Sequence, residues 1–475
     1  MTVRLETQCP EARTGVAADG GHVVVAGGGN AGLCAALSAR DRGADVIIVE
    51  RSPRWRRGGN SRHTRDIRYA HDEADEWAPT PYPADVFLAD LASVTNGSSN
   101  SELTRTVVER SRDLPRWMEE HGVRWQRQLR GTLHLETNRF FLGGGKAMMN
   151  AYYRAARAAD IRILYGASVR EIELEGARCV SVDVEADGRR DRLLTRALVV
   201  ASGGLEANYD WLEQKWGTGA RNFVVRGTPD NDGELLLKLL EAGAAQVGSD
   251  LFHCIAVDAR APKFDGGIVT RVDSVPFSVT VNKTGKRFYD EGEDWWPKRY
   301  AMWGQLIARQ PDQLAYSIFD RNAHDLFIPS VFPPFAANSL DGLLAQLDID
   351  RDQALRTIRE FNAAVDESVP FDPTRKDGRA TIGTEPRRTN WARKISSPPF
   401  YAFPLAPGVT FTYFGVRVDE QARVAKSDGS VFENVYAAGE VMAGNILTSG
   451  YLAGFGLTIG SVFGRIAGEE AANGH

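Results

Sequence analysis

The stretch HVVVAGGGNAGLCAALSARDRGADVIIVE, residues 22–50, decides the fold. Residues 22–26 are a β-branched run that breaks into Gly27, Gly28 and Gly29, and the apolar residues after Asn30, Ala31 and Gly32 recur with helical spacing. That order reads as strand, tight turn, helix. Gly27, Gly29 and Gly32 fit the spacing GxGxxG: the first permits the turn, the second lets backbone approach a pyrophosphate, and the third lets helix pack on strand. The next strand, ADVIIVE, ends at Glu50, 18 residues beyond Gly32, where a carboxylate can accept hydrogen bonds from ribose hydroxyls, and Arg51 follows it. These residues predict a Rossmann-like dinucleotide site.

At 475 residues, 43% hydrophobic and 25% charged, the chain is too long for one compact core, so two domains are expected. The net charge of -5, from 57 basic and 62 acidic side chains, gives no reason to expect a nucleic-acid surface or a polybasic membrane anchor. The expected partner is a small molecule. Cys9, Cys34, Cys179 and Cys254 are scattered without metal or cluster spacing, which predicts reduced thiols in a cytoplasmic protein and no metal site. Residues 1–20 read as a loose polar tail without a secretory signal, and the apolar C-terminal run is interrupted by Glu440, Asn445 and Arg465, so no membrane span is expected.

Further motifs choose the dinucleotide. ENVYAAGEV, residues 433–441, resembles the segment by which two-dinucleotide-fold flavoproteins return to their FAD domain, which implies that Gly439 and Glu440 lie beside the ribityl chain. Gly454, Phe455, Gly456 and Leu457 then open an apolar helix whose first N–H groups can stabilise negative charge on a reduced flavin. RALVVASGGLE, residues 196–206, resembles the ATGG-like strand of the same proteins, and this places Ala201 and Gly203 at the cofactor. The pair Asp232-Gly233 resembles their DG motif near the flavin tail.

Gly58, Gly59, Asn60 and Ser61 resemble the GGN[ST] loop of the succinate dehydrogenase and fumarate reductase flavoprotein superfamily, and VNKTGKRFYDE, residues 281–291, resembles its VNxxGxRFxxE strand-turn-strand. The segments EGEDWWPKRYAMWG, residues 291–304, and GNILTSGYLAGFGLTIGSVFGRIAG, residues 444–468, are similar to tricarballylate dehydrogenases within it. The resemblance implies an FAD enzyme that oxidises a CH–CH bond of a small polycarboxylate, as in tricarballylate to cis-aconitate. It also implies a separate iron-sulfur or membrane protein as electron acceptor, which would hold this chain at the inner face of a membrane. Three positions depart from the fumarate reductase pattern. Asn60 stands where membrane-bound members attach FAD through histidine, so non-covalent FAD is expected. Thr410, Phe411 and Thr412, followed by Tyr413, replace the HHT substrate motif, and Tyr451 replaces a substrate-binding arginine.

The expected architecture is α/β: a Rossmann-like FAD-binding domain in two parts, 21–247 and 385–475, with an inserted α+β capping domain at 248–384, of the fumarate reductase flavoprotein type. Hinges are expected near Gly248 and within residues 372–388. Closure of such a cap would exclude water from the chemistry.

Oxidising a CH–CH unit beside a carboxylate needs a group to take the α-proton and cations to hold the enolate-like charge that develops. The superfamily uses an arginine after RFxxE for the proton. By counting, Trp295 takes that place, so Arg299 is the leading candidate and Lys298 a second cation; the alternative is that both pair with Glu291 or Glu293. Arg62 and Arg65 are candidate substrate cations. His63 and His253 are candidate substrate donors, although a lone histidine in a loop, as His63 is, more often serves packing or hydrogen bonding. Thr412, Tyr413 and Tyr451 are expected to line the substrate cavity, the two phenols either handling a proton or packing against flavin. Two other readings stay open: a 3-ketosteroid-type dehydrogenase, and the flavoprotein of a precorrin-3B synthase-like oxygenase system.

Overall fold

A computed structural model of the chain describes residues 21–128 and 137–474. The expected N-terminal tail, with Cys9, lies outside the described residues.

The strand His22–Ala26 is buried on both faces, as its unbroken valine run requires of a central parallel strand. It pairs in parallel with Val46–Glu50 on one side (Val23 opposite Val46) and with Arg189–Val200 on the other (Val23 opposite Ala197). Outward on the first side lies Arg162–Tyr165, and on the second Val431–Ala437, brought back from the far end of the chain with Val435 opposite Leu198. Arg423–Ala425 ends that side, and the antiparallel strands Ala167–Glu175 and Arg178–Ala186 extend Arg189–Val200, giving eight strands in all.

Two helices cover this sheet and lie against each other. In Asn30–Asp41 and Phe455–Asn473, small residues four apart share a face. A Cβ on Gly464 would sit 2.5 Å from Ala31 O, and one on Gly468 only 2.1 Å from Ala35 O, so the backbones touch there. Asn30 Nδ2 ties the pair by donating to Leu457 O at 3.2 Å and Ser461 Oγ at 3.0 Å. The C-terminal helix is thereby fixed to the glycine turn that begins the first helix.

A second sheet of six strands is built around Phe400–Thr412. This strand pairs antiparallel with Phe252–Asp258, Ala315–Asp320 and Phe335–Ala337, and in parallel with Val224–Val225. The helix Trp296–Ala308 packs on it closely because Gly304 has no side chain: a Cβ there would meet Cys254 Sγ at 2.4 Å. Leu340–Leu344 and Arg351–Ala364 enclose a second core with Val279, Val281, Ile318 and Ile358. The VNKTGKRF segment gives the expected strand, Val279–Asn282, and a turn held by Asn282 Oδ1, but its return leg makes a single bridge, Val281 to Arg287. Arg287 turns inward instead: its Nε donates to the buried Glu291 at 3.0 Å, and Arg388 approaches the same carboxylate at 3.6 Å. A small sheet of Asp66–Arg68, Asn138–Phe141 and Trp125–Gln126 carries residues 64–68 to the place where the two large sheets meet.

Candidate active site

One elongated cleft runs from the glycine turn to the edge of the second sheet. At its first end Gly27 has φ +110, and a Cβ would lie 2.3 Å from Ala201 O; a Cβ on Gly32 would lie 1.9 Å from Gly27 O. Gly29 differs. Its Cβ would meet nothing nearer than Ser61 Oγ at 3.7 Å, so the missing side chain leaves open space in the cleft at the start of a 12-residue helix whose N-cap residue gives no side-chain cap. Such a start offers backbone N–H groups and a positive dipole end to a phosphate. Glu50 is buried, and its carboxylate accepts from Gly28 N at 2.9 Å and Ser52 N at 2.8 Å. Burial pushes its pKa up against those hydrogen bonds, and lone pairs remain for hydroxyl donors.

The middle of the cleft is held by amides. Asn60 Oδ1 accepts from Thr228 N at 2.9 Å, while its Nδ2 donates to Thr410 O at 3.0 Å and to Glu206. Ser61 Oγ accepts from Asn30 N at 3.1 Å. Arg51 pairs with Asp232 at 2.6 Å, and Asp232 in turn accepts from Glu234 N at the start of the helix Glu234–Glu241.

At the far end the cleft is lined by Arg65, Arg226, Arg271, His253, Tyr300, Phe411 and Tyr451. Arg226 and Arg271 are buried and Arg65 is largely so, yet their partners differ. Arg271 chelates Asp273 at 2.6 and 2.7 Å; burial opposes its charge, and Asp273 outweighs burial and holds its pKa above the usual value. Arg65 lies 3.5 Å from Asp66 and 3.9 Å from Asp273, and burial together with Arg271 lowers its pKa. Arg226 donates from Nε to Thr410 Oγ1 at 3.1 Å, and no carboxylate pairs with it among the described residues. Burial, reinforced by Arg271 and Arg65, brings its pKa down to about 10, so it remains charged at neutral pH. His253 stacks on Tyr451 at 4.2 Å between ring centres, with neither ring nitrogen hydrogen-bonded. Burial, then Arg226 and Arg271, holds it neutral. Tyr451 Oη accepts from Gly456 N at 2.8 Å, at the start of the C-terminal helix.

Residues 22–457 match the model of the family described as FAD binding domain. The chain belongs to this FAD-binding family. Over 95% of its length it is 27% identical to the NADH:fumarate oxidoreductase of Klebsiella pneumoniae, and it spans 47%, about half, of that relative. Its fold matches the open conformation of a flavocytochrome c3 fumarate reductase with a TM-score of 0.74, at 22% identity over 95% of this chain and 78% of that one. It matches the 3-ketosteroid Δ1-dehydrogenase of Sterolibacterium denitrificans with a TM-score of 0.75, at 17% identity over 96% and 100% of the two chains. FAD is the cofactor of this family, and the residues present fit it: an open glycine at a helix start for pyrophosphate, Glu50 for ribose, and a cleft continuing past Gly439 and Glu440 to Gly454 and Gly456.

Within the FAD-binding chain, most residues named from the sequence converge on the cleft. Gly27, Gly29, Asn30, Ala31, Glu50, Arg51, Gly59, Asn60, Ser61, Ala201, Gly203, Asp232, Gly439, Glu440, Gly454, Gly456 and Leu457 line it, as do Arg65, His253 and Tyr451. Gly32 and Gly58 stand behind it, against Gly27 O and Met149. Six of the substrate-side candidates do not line it. Arg299 pairs with Glu293 at 3.1 Å and Lys298 with Asp90, because the helix Trp296–Ala308 turns Tyr300, not its two predecessors, toward the cleft. Arg62 and His63 both bind Asp265, at 2.7 and 2.9 Å, and burial lowers the pKa of His63. Thr412 is buried behind the cleft, where Oγ1 accepts from Leu205 N at 3.1 Å. Tyr413 is likewise enclosed, and burial raises its phenol well above the ordinary value. Sequence reading missed Arg226, Arg271 and Tyr300. The available signal was a lone arginine inside an apolar run, as in FVVRG and IVTRV, residues 223–227 and 268–272.

Proposed function

We propose that the protein is an FAD-dependent oxidoreductase that interconverts the saturated and unsaturated forms of a small carboxylic acid, with tricarballylate to cis-aconitate as the reaction of choice. The supporting observation is Arg226, a buried charge in the cleft wall with no acid paired to it among the described residues. Arg65, Arg226 and Arg271 set against Asp66 and Asp273 leave one positive charge uncompensated, and a buried charge without a partner is costly. A substrate carboxylate supplies the partner. FAD, when bound, supplies the hydride acceptor or donor.

In this reading Arg226 and Arg65 bind the carboxylate and stabilise the enolate-like charge as the α-proton leaves. Neutral His253 and Tyr451 give hydrogen bonds that orient the acid, and Tyr300 carries the proton on Oη. Burial pushes the Tyr300 phenol up to about 12, so the protonated form dominates at neutral pH and is competent to protonate an α-carbon. The opposite direction needs the phenolate. Oxidation is therefore expected to accelerate with rising pH, up to about tenfold per unit where proton removal limits the rate, and Tyr300→Phe to abolish that rise. A dye-linked assay across pH checks this; a flat wild-type profile, or an unchanged one in Tyr300→Phe, removes Tyr300 from the role.

Asn60 offers no nucleophile, and both ends of its amide are engaged by protein groups. FAD is thus held without a covalent bond and is expected to pass into the filtrate when the holoprotein is denatured and filtered; yellow polypeptide would contradict this. Electrons leave to an external acceptor, proposed to be an iron-sulfur or membrane protein, since Cys34, Cys179 and Cys254 are buried and apart. No helix among the described residues is long and apolar enough to cross a membrane. The steroid reading has one observation in its favour, the Tyr451 hydroxyl seated on Gly456 N, which suits polarisation of a ketone. A neutral ketone would leave Arg226 unpaired.

A further inference from the structure

Behind the middle of the cleft two carboxyls meet with no cation between them. Glu440 lines the cleft and is 9% exposed; Glu206 lies behind it at 0%. Glu206 Oε1 accepts from Asn231 Nδ2 at 2.6 Å and from Asn60 Nδ2. Glu440 Oε1 accepts from Thr412 N at 2.6 Å and from Thr412 Oγ1 at 3.1 Å. The two side chains are close enough to share a proton, and with both ionised no donor among the described residues reaches Glu206 Oε2. The space is tight on one side: a Cβ on Gly204 would lie 2.2 Å from both Glu440 Oε1 and Thr412 Oγ1, so the Gly204 backbone packs directly against the Glu440 carboxyl. The groups facing the pair are Asn60 from the GGN loop, Asn231 from the loop before Asp232, the backbone of Gly204, Thr412 at the end of the long strand and Tyr413 just after it. None is a cation.

Two carboxylates in contact inside a desolvated wall repel each other, and one proton removes that repulsion and gives the orphan oxygen its donor. The donors decide where the proton resides. Each carboxyl accepts from two donors, but both of those on Glu206 are close amide N–H groups, whereas Glu440 has one amide N–H at 2.6 Å and a hydroxyl at 3.1 Å; the Glu206 anion is the better supported, which leaves the proton to Glu440. We propose that Glu440 is held as a neutral acid donating to a Glu206 carboxylate, so that the wall facing FAD presents a neutral group and keeps its single negative charge set back behind it. Burial raises the pKa of both groups, and the Glu206 charge raises that of Glu440 further. Glu206 is a positioning residue: it acts on the cofactor wall through Glu440 and through the two asparagines it holds. The arrangement limits the negative charge beside a cofactor that itself becomes more negative on reduction.

The unfolded chain releases this proton above about pH 4.3, the folded protein retains it, and stability falls as pH rises from there to the folded-state pKa. Glu440→Gln removes that fall, so its Tm relative to wild type is expected to rise from acidic to neutral pH. The direct test is infrared spectroscopy of the purified holoprotein at neutral pH. The wild-type minus Glu440→Gln difference is expected to contain one protonated-carboxyl stretch that shifts in D2O; carboxylate stretches in its place would overturn the assignment. The wild-type protein alone provides a second arm should the variant fail to fold. Absence of any protonated-carboxyl band at neutral pH, where an ordinary glutamate is ionised, overturns the proposal on its own.

Discussion

Arg226→Met is expected to retain FAD and to lose roughly 10²-fold or more in kcat/KM for a carboxylate substrate, the scale of removing one partner from a buried, hydrogen-bonded charge pair. FAD should remain because Arg226 stands at the far end of the cleft from the Gly27–Gly29 turn, and its one side-chain hydrogen bond among the described residues is to Thr410. Methionine replaces most of the volume without charge, so loss of packing contributes little. Arg226→Lys should recover part of the activity, since an ammonium restores the charge without the planar fork. Flavin content is read from absorbance, and kcat/KM from a dye-linked assay. If the methionine variant turned over as wild type does, the carboxylate would have to be bound elsewhere, and the ketone reading would gain what this one lost.

Gly29→Val is expected to abolish FAD binding in a protein that still folds. Gly29 has φ -75, an ordinary value for any residue, and its missing side chain would occupy open cleft rather than a neighbouring atom. The valine methyls therefore take the space in which the pyrophosphate approaches backbone N–H groups. Gly32→Val makes the contrast: with a Cβ 1.9 Å from Gly27 O, helix and strand must separate, and the protein should lose Tm as well as flavin. The two variants together separate a cofactor effect from a folding effect. Measurement is by the ratio of flavin to protein absorbance and by thermal unfolding followed by circular dichroism. Flavin bound at wild-type occupancy in Gly29→Val would remove the turn from the cofactor site.

How much of this was legible in the sequence depends on whether the signal was local. The glycine turn was, because strand, turn, helix and acidic strand end all fall within residues 22–50 and each constrains the next. Gly439, Glu440, Gly454 and Gly456 were legible through motifs whose spacing survives. The substrate end was not, because its groups come from four separate elements: Arg65 before a short strand, Arg226 after another, Arg271 in a turn and Tyr300 on a helix. Counting along EGEDWWPKRY reaches Lys298 and Arg299, but a helix places consecutive residues about 100° apart, and only the three-dimensional phase shows that Tyr300 takes the inward position. Arg62 and His63 misled for a related reason: they follow the cofactor loop directly, yet Asp265, remote in sequence, draws both away from the cleft. Thr412 sits on the inner face of the long strand, where Glu440 claims its hydroxyl. The Glu206–Glu440 pair joins two motifs that are unrelated until the strands Arg189–Val200 and Val431–Ala437 lie side by side.

The central claim is that the cleft selects a carboxylate for carbon–carbon redox chemistry at FAD, and anaerobic mixing of the purified holoprotein tests it most directly. Tricarballylate, its trimethyl ester and a 3-ketosteroid are added in turn while the absorbance of oxidised flavin is followed. The account predicts bleaching by the free acid, with the ester and the steroid inert, because only the acid can pair with Arg226. Bleaching by the ester or the steroid with the acid inert would contradict it.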